Sequence, residues 1–208
     1  MNFYYSIIIM CVNFETSLAS FIIGESSGLV LIGSKEKEKI IIGLFVMFYS
    51  LIQFFETNIY FGNDTSSIYS RLLLINLGFQ GLVFFVLMTN LYEINNFYII
   101  ISSIISIYIM FEACKTDFSK ANIDSCLTWN FMNNSTSVML GAMYLLMFIW
   151  YYNNKIPLST DISTKYINNT GILFFITFIV SYLLLNIKNS PSFWCMISAI
   201  VAPIFIIM

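Results

Sequence analysis

The chain has 208 residues, of which 59% are hydrophobic and only 10% are charged, and its formal net charge at pH 7 is −2. Soluble domains carry about 25% charged residues, so this composition excludes a chain that covers its whole surface with water-facing side chains. No cluster of Lys and Arg stands out, which excludes the electrostatic footprint of a nucleic-acid-binding protein.

Seven apolar stretches fill the chain from end to end. A membrane helix needs about 20 mostly apolar residues, and we predict such helices at residues 12–33, 40–61, 68–89, 96–114, 135–152, 170–188 and 191–208. These stretches are too long, and alternate too little, for the strands of a transmembrane barrel, which have about 10 residues of alternating polarity. We therefore predict an all-α fold, in which residues 1–208 form a single bundle of seven transmembrane helices within the lipid bilayer.

The distribution of basic residues predicts the orientation of this bundle. The loops after the first and fifth spans carry five lysines: Lys35, Lys37, Lys39, Lys155 and Lys165. The loops on the other side carry Lys115, Lys120 and Lys188, and Arg71 lies near a span end on that side. Cytoplasmic loops are enriched in Lys and Arg, so we expect the N-terminus outside and the C-terminus in the cytosol.

The four cysteines fall on one side of the membrane in this topology. Cys11, Cys114, Cys126 and Cys195 all lie at the outer ends of spans or in an outer loop. An even number of cysteines on an oxidising face predicts two disulfides, and of the three pairings we favour Cys114–Cys126 with Cys11–Cys195. The alternative is four unrelated buried thiols, because free cysteine is often buried.

Charged and amide side chains inside the spans carry the functional signal. A charge at mid-bilayer costs about 2.5–3.5 kcal/mol on insertion scales, so such groups face other helices or water. The predicted topology brings polar residues to the outer half of four neighbouring spans: Glu15, Gln53, Glu56, Arg71 and Glu112, with Glu25, Asn76 and Gln80 deeper. One interpretation is an outward-facing acidic pocket lined by Glu15, Gln53, Glu56, Arg71 and Gln80, in which Arg71 pairs with one carboxylate and the others bind a cation, a proton or a polar solute.

The alternative interpretation of the same residues is structural. Glu112 and Arg71 lie at span ends, where charged side chains commonly extend to the interface, and Glu56 with Arg71 would then tie two adjacent helices together. Small residues at Ser20, Gly24 and Gly28 recur every fourth position of the first span, a spacing that lets two helix backbones approach closely. We expect them to pack within the bundle. The alternative is that they form the subunit interface of a homo-oligomer.

Several classes of site have no suitable residues. The chain has no histidine, so it has no zinc site built from histidine and carboxylate and no Ser–His catalytic pair. No phosphate-binding glycine loop or redox Cys-x-x-Cys motif is present. We therefore predict no metal, no cofactor and no catalytic residues, and enzymatic function is the least favoured class.

Short motifs are distributed over most of the chain: Cys11-Val-Asn-Phe-Glu15-Thr-Ser17, Ile42-Gly43-Leu-Phe, Ser50-Leu-Ile-Gln53-Phe-Phe-Glu56, Asn76-Leu-Gly-Phe-Gln80, Leu127-Thr-Trp129 and Ser192-Phe-Trp194-Cys195. Together they resemble a family of multi-span membrane proteins encoded by large DNA viruses of algae and protists. The resemblance implies a viral origin and a place in a host-cell or virion membrane, but it supplies no mechanism.

Three functional hypotheses follow from the residues. The first is a channel- or transporter-like protein that binds a small polar or cationic solute through the outward-facing acidic pocket. The second is a structural or interaction protein of a viral or host membrane, whose polar groups only hold the bundle together. The third is a receptor-like ligand binder that does not transport.

Overall fold

The computed structural model of this chain describes residues 14–60, 66–116, 134–153 and 203. Within these ranges the chain forms five α-helices: α1 (Phe14–Ile32), α2 (Lys37–Tyr60), α3 (Ser66–Met88), α4 (Asn96–Lys115) and α5 (Asn134–Asn153). They coincide with the first five predicted spans. The spans predicted at 170–188 and 191–208 lie outside the described residues, so the seven-helix count and the orientation of the termini remain predictions.

Four of the helices in the described part of the chain, α1 to α4, are long and apolar enough to cross a membrane. The apolar part of α5, Ser135–Trp150, is shorter. The structure therefore agrees with the prediction of an all-helical protein in contact with a lipid bilayer.

The distribution of side chains is the reverse of that in a soluble protein. Large apolar side chains point away from the bundle on every helix, for example Ile22, Leu44, Leu72, Ile104 and Leu145. Polar side chains lie inside, among them Ser17, Gln53, Glu56, Asn76, Gln80 and Ser106. Soluble proteins place polar and charged residues mainly at the surface. The inverted pattern is expected where lipid is the solvent, because polar groups then turn toward the other helices.

The helices pack in chain order. Helix α1 packs against α2, α2 against α3 and α3 against α4, whereas α5 packs against both α3 and α4. The apolar core has two main layers that share these helices, and a smaller third cluster contains Leu31 and Ile42. The first includes Ile52, Leu73, Leu77, Ile109 and Met143, and the second includes Ile41, Phe85, Met88, Met147 and Trp150. Helix α3 packs against α2, α4 and α5 and therefore forms the centre of the described bundle.

The helix ends follow from local capping. The side chain of Asn95 accepts a hydrogen bond from the backbone N–H of Phe97 at 2.9 Å and so caps the start of α4. At the other end of α4, the backbone N–H and the hydroxyl of Thr116 both donate to the carbonyl oxygen of Glu112, at 2.9 and 2.8 Å. Lys115 in the last turn complements the helix dipole.

Close contact between α1 and α2 depends on two glycines. A Cβ atom at Gly43 would lie 2.7 Å from the carbonyl oxygen of Gly28 and 2.9 Å from Cβ of Leu31. The two backbones therefore touch directly. The residues predicted to serve helix packing, Ser20, Gly24 and Gly28, are all buried on α1. Small residues at this spacing are what close helix packing requires.

Candidate functional site: a polar seam between two helices

The buried polar residues of α1 and α2 form two hydrogen-bonded pairs across the same interface. Ser17 Oγ of α1 donates to Glu56 Oε2 of α2 at 3.4 Å. In the opposite sense, Ser50 Oγ of α2 donates to Glu25 Oε1 of α1 at 2.6 Å. We call Ser17, Glu25, Ser50, Gln53 and Glu56 the polar seam. Each helix thus contributes one serine and one carboxylate.

Gln53 lies midway between the two pairs along α2. At a rise of about 1.5 Å per residue, Ser50 and Glu56 are about 9 Å apart along the helix axis, and Gln53 is about 4.5 Å from each. Ser50 and Glu56 both bond to α1, and Gln53 lies between them around the helix. The carboxamide is therefore directed toward the α1–α2 interface.

The side chain of Gln53 has no hydrogen-bond partner among the described residues. It is 0% exposed, and neither Nε2 nor Oε1 is paired. Two other buried hydroxyls are satisfied by the backbone: Thr57 Oγ1 donates to the carbonyl oxygen of Gln53 at 2.6 Å, and Ser106 Oγ donates to the carbonyl oxygen of Gly78 at 2.7 Å. Both ends of the Gln53 carboxamide, by contrast, are left available.

An unpaired, buried carboxamide is energetically unfavourable. A buried polar group without a partner costs about 1–3 kcal/mol, and Gln53 carries an unpaired donor and an unpaired acceptor. Leucine or methionine would fill the same position without this cost. Buried unpaired groups in native proteins require an explanation, and a bound ion, water or ligand is a common one.

The structure brings together only part of the predicted pocket. Gln53 and Glu56 are completely buried at the α1–α2 interface, and Glu25 is half-buried beside them. Glu15 and Arg71 are exposed, and their place in the pocket stays a prediction. Glu15 lies in the first turn of α1, where a carboxylate complements the helix dipole.

Gln80 and Glu112 lie elsewhere. Gln80 is completely buried on α3, where its Oε1 accepts a hydrogen bond from the hydroxyl of Tyr144 on α5 at 2.6 Å. Glu112 is half-buried near the end of α4, and its carbonyl oxygen receives the cap formed by Thr116. Neither residue lies on α1 or α2, so neither belongs to the polar seam.

Sequence reasoning missed the two serines that hold the carboxylates. Ser17, Ser20, Gly24, Ser27 and Leu31 are all buried on α1. Their spacing alternates between three and four residues, which is the periodicity of two helices that pack at a shallow angle. That pattern was readable in the sequence, and it would have identified Ser17 as a residue facing another helix.

Metal and disulfide chemistry have little support in the described residues. No three His, Cys, Asp or Glu side chains come together there in a way that could hold a metal ion. Cys114 is exposed and carries a free thiol, so its favoured pairing with Cys126 has no support. Cys11, Cys126 and Cys195 lie outside the described residues.

Comparisons with known proteins place this chain in no family. No protein-family model, no curated protein and no solved structure matches it.

Proposed function

We propose that this protein is a channel- or transporter-like membrane protein that passes a small monovalent cation along the polar seam. The observation that carries the proposal is Gln53, a completely buried carboxamide without a hydrogen-bond partner among the described residues, located between two carboxylate-bearing pairs. The free oxygen of Gln53 can coordinate a cation, and its free N–H groups can hold a water that accompanies one.

The arrangement of charge favours a cation with a single charge. Each end of the seam offers one carboxylate and one hydroxyl, Glu56 with Ser17 and Glu25 with Ser50. Because Glu56 and Ser50, the partner of Glu25, are about 9 Å apart along the axis of α2, a bound ion meets the two carboxylates one after the other. Hard oxygen ligands of this kind suit potassium, sodium or a hydrated proton.

The seam would open to the exterior. Glu56 lies about 6 Å along the axis from Tyr60, at which α2 ends, and the predicted topology places that end outside. Glu25 is further from the helix ends and would form the inner cation-binding position. An ion entering from outside would therefore reach Glu56 first, then Gln53 and then Glu25.

Ion flux into proteoliposomes tests the proposal. Liposomes that contain the purified protein should show potassium, sodium or proton flux above that of protein-free liposomes. Glu25→Gln and Glu56→Gln should each lower it about tenfold, the effect of about 1.4 kcal/mol on a barrier. Glu93→Gln is the matched control, because Glu93 is exposed in the turn between α3 and α4. Unchanged flux in both seam variants would contradict the proposal.

A second candidate is a structural or interaction protein of a viral or host membrane. The hydrogen bonds from Ser17 and Ser50 favour it, because each joins α1 to α2 across the interface. On this account the two glutamine variants lower the melting temperature, and the parent protein shows no flux. A receptor-like binder, the third hypothesis, would bind a cation in the seam without flux.

A further inference from the structure

A second group of unpaired polar atoms lies on α3, on side chains that are not part of the polar seam. Gln80 is 0% exposed, and its Nε2 has no hydrogen-bond partner among the described residues, whereas its Oε1 accepts from Tyr144 at 2.6 Å. Asn76 is 6% exposed, and its Oδ1 is likewise unpaired, whereas its Nδ2 donates to the carbonyl oxygen of Phe48 at 3.2 Å. Each amide is therefore fixed by one bond and free at the other end.

The two free ends are complementary. Asn76 and Gln80 are four residues apart on one helix, so their side chains lie on the same face, one turn from each other. The free end of Gln80 only donates, and that of Asn76 only accepts. A single molecule that accepts from Gln80 and donates to Asn76 would satisfy both.

The surroundings limit the size of such a molecule. A Cβ atom at Gly78 would lie 2.7 Å from Ile109 of α4, and one at Gly81 would contact Met143 of α5. Helix α3 is thus in tight contact with both neighbours at the depth of the two amides, with Gly78 on the opposite face of the helix from them. The neighbouring core residues of α3, Leu73, Leu74 and Leu77, are apolar and completely buried, so they offer no polar partner.

We infer that Asn76 and Gln80 form a binding site for one water molecule inside the bundle. Water is small enough for this packing, it donates and accepts at once, and buried waters typically make two to four hydrogen bonds to such groups. The inference does not rest on ion transport, because the site involves α3, α5 and the backbone of Phe48 on α2 but none of the polar-seam side chains.

Radiolytic labelling of the intact protein in detergent micelles tests this site. X-ray irradiation generates hydroxyl radicals from bound water inside a protein, and the radicals oxidise the nearest side chains. Met143 contacts the position next to Gln80 and is 0% exposed, whereas Met88 is 5% exposed in the second core layer. Because the two methionines have the same intrinsic reactivity, they form a matched pair. We expect Met143 and Tyr144 to be oxidised severalfold faster than Met88.

The double variant Asn76→Leu with Gln80→Met removes both free ends. It should reduce oxidation of Met143 to the rate of Met88, and an unchanged rate at Met88 shows that the bundle is still folded. Should the double variant not fold, the comparison of Met143 with Met88 in the parent protein decides alone. Oxidation of Met143 and Tyr144 at or below the rate of Met88 in the parent protein would overturn the inference.

Discussion

Ser50 of α2 donates to Glu25 of α1 at 2.6 Å, the shorter of the two hydrogen bonds between a serine and a carboxylate at this interface. A short hydroxyl–carboxylate bond of this kind is charge-assisted and holds the carboxylate in one geometry. Among the described residues no basic side chain pairs with Glu25. The bond therefore positions a carboxylate at the interface of two helices.

The first prediction concerns the contact between α1 and α2. Gly43→Ala places a methyl group 2.7 Å from the carbonyl oxygen of Gly28. The new Cβ is attached directly to one backbone and the carbonyl oxygen belongs to the other, so the helices must move apart. Overpacking of this kind costs about 1–3 kcal/mol. We expect a lower melting temperature in detergent micelles.

Gly141→Ala is the control for that substitution. Gly141 is also within a helix, α5, but a Cβ atom there would meet nothing within 4 Å. Alanine favours a helix over glycine by about 0.5–1 kcal/mol, so this variant should be as stable as the parent protein or more so. Equal melting temperatures for Gly43→Ala and the parent would show that the two helices are not in direct contact.

The second prediction tests whether the exposed apolar face of α4 contacts lipid. Ile104 is 57% exposed near the middle of α4. In a bilayer, Ile104→Asp places a carboxylate in hydrocarbon at a cost of about 3 kcal/mol, so the fraction of protein that inserts into membranes should fall. Asn96→Asp, at the first residue of α4, should insert normally. Unimpaired insertion of Ile104→Asp would mean that this face of α4 does not contact lipid.

The helices themselves could be predicted because long apolar stretches give a strong signal. The span predicted at 40–61 corresponds to Lys37–Tyr60, and that predicted at 96–114 to Asn96–Lys115. The difference at Lys37 arises because a charged residue can extend a helix beyond the apolar stretch when its side chain reaches the polar interface. Length and composition therefore located these elements to within one helical turn.

The direction in which each side chain points could not be predicted in the same way. Most positions of these helices are apolar, so outside a few polar or small residues they lack the broad polar face that orients a helix in a soluble protein. The sequence places Arg71 and Glu56 at a similar depth, but it does not indicate that Arg71 is exposed whereas Glu56 is completely buried. Depth follows from sequence position, but the partner across an interface depends on the packing of the bundle.

The third prediction is a pH dependence at one end of the bundle. Tyr92 lies in the turn between α3 and α4, and its ring is 6.0 Å from that of Trp150. Burial, together with the negative charge of Glu38, raises the pKa of Tyr92 from 10.0 to about 12. The folded protein thus holds a proton that the unfolded chain releases, so this contribution to stability is complete below pH 10 and is lost as the pH rises toward 12.

Melting temperatures at about pH 9 and pH 11 measure this contribution. Tyr92→Phe cannot ionise, so it should lose less stability between these values than the parent protein. Because Tyr92 is only partly buried, solvent screening reduces the effect, and we expect a difference of about 2–4 °C, which corresponds to about 1 kcal/mol in a chain of this size. An identical pH dependence in both proteins would exclude Tyr92 as the group responsible.

The fourth prediction concerns orientation. Cys114 is exposed near the end of α4, and the predicted topology places that end outside. In a variant that retains only this cysteine (Cys11→Ser, Cys126→Ser and Cys195→Ser), a membrane-impermeant maleimide should label Cys114 in intact cells. A second variant that also carries Cys114→Ser and Glu93→Cys moves the thiol to the opposite end and should label only after lysis. The reverse pattern would place the N-terminus in the cytosol.

Paired measurements of cation flux and melting temperature on Gln53→Met test the central claim most directly. Methionine has nearly the same shape as glutamine but removes the unpaired donor and acceptor, so the variant should be as stable as the parent protein or more stable, with gains up to about 1–3 kcal/mol. If Gln53 binds a cation in the polar seam, the flux of Gln53→Met falls about tenfold while its melting temperature is unchanged or higher. Unchanged flux in Gln53→Met, or a lower melting temperature with no flux in the parent protein, would contradict the account.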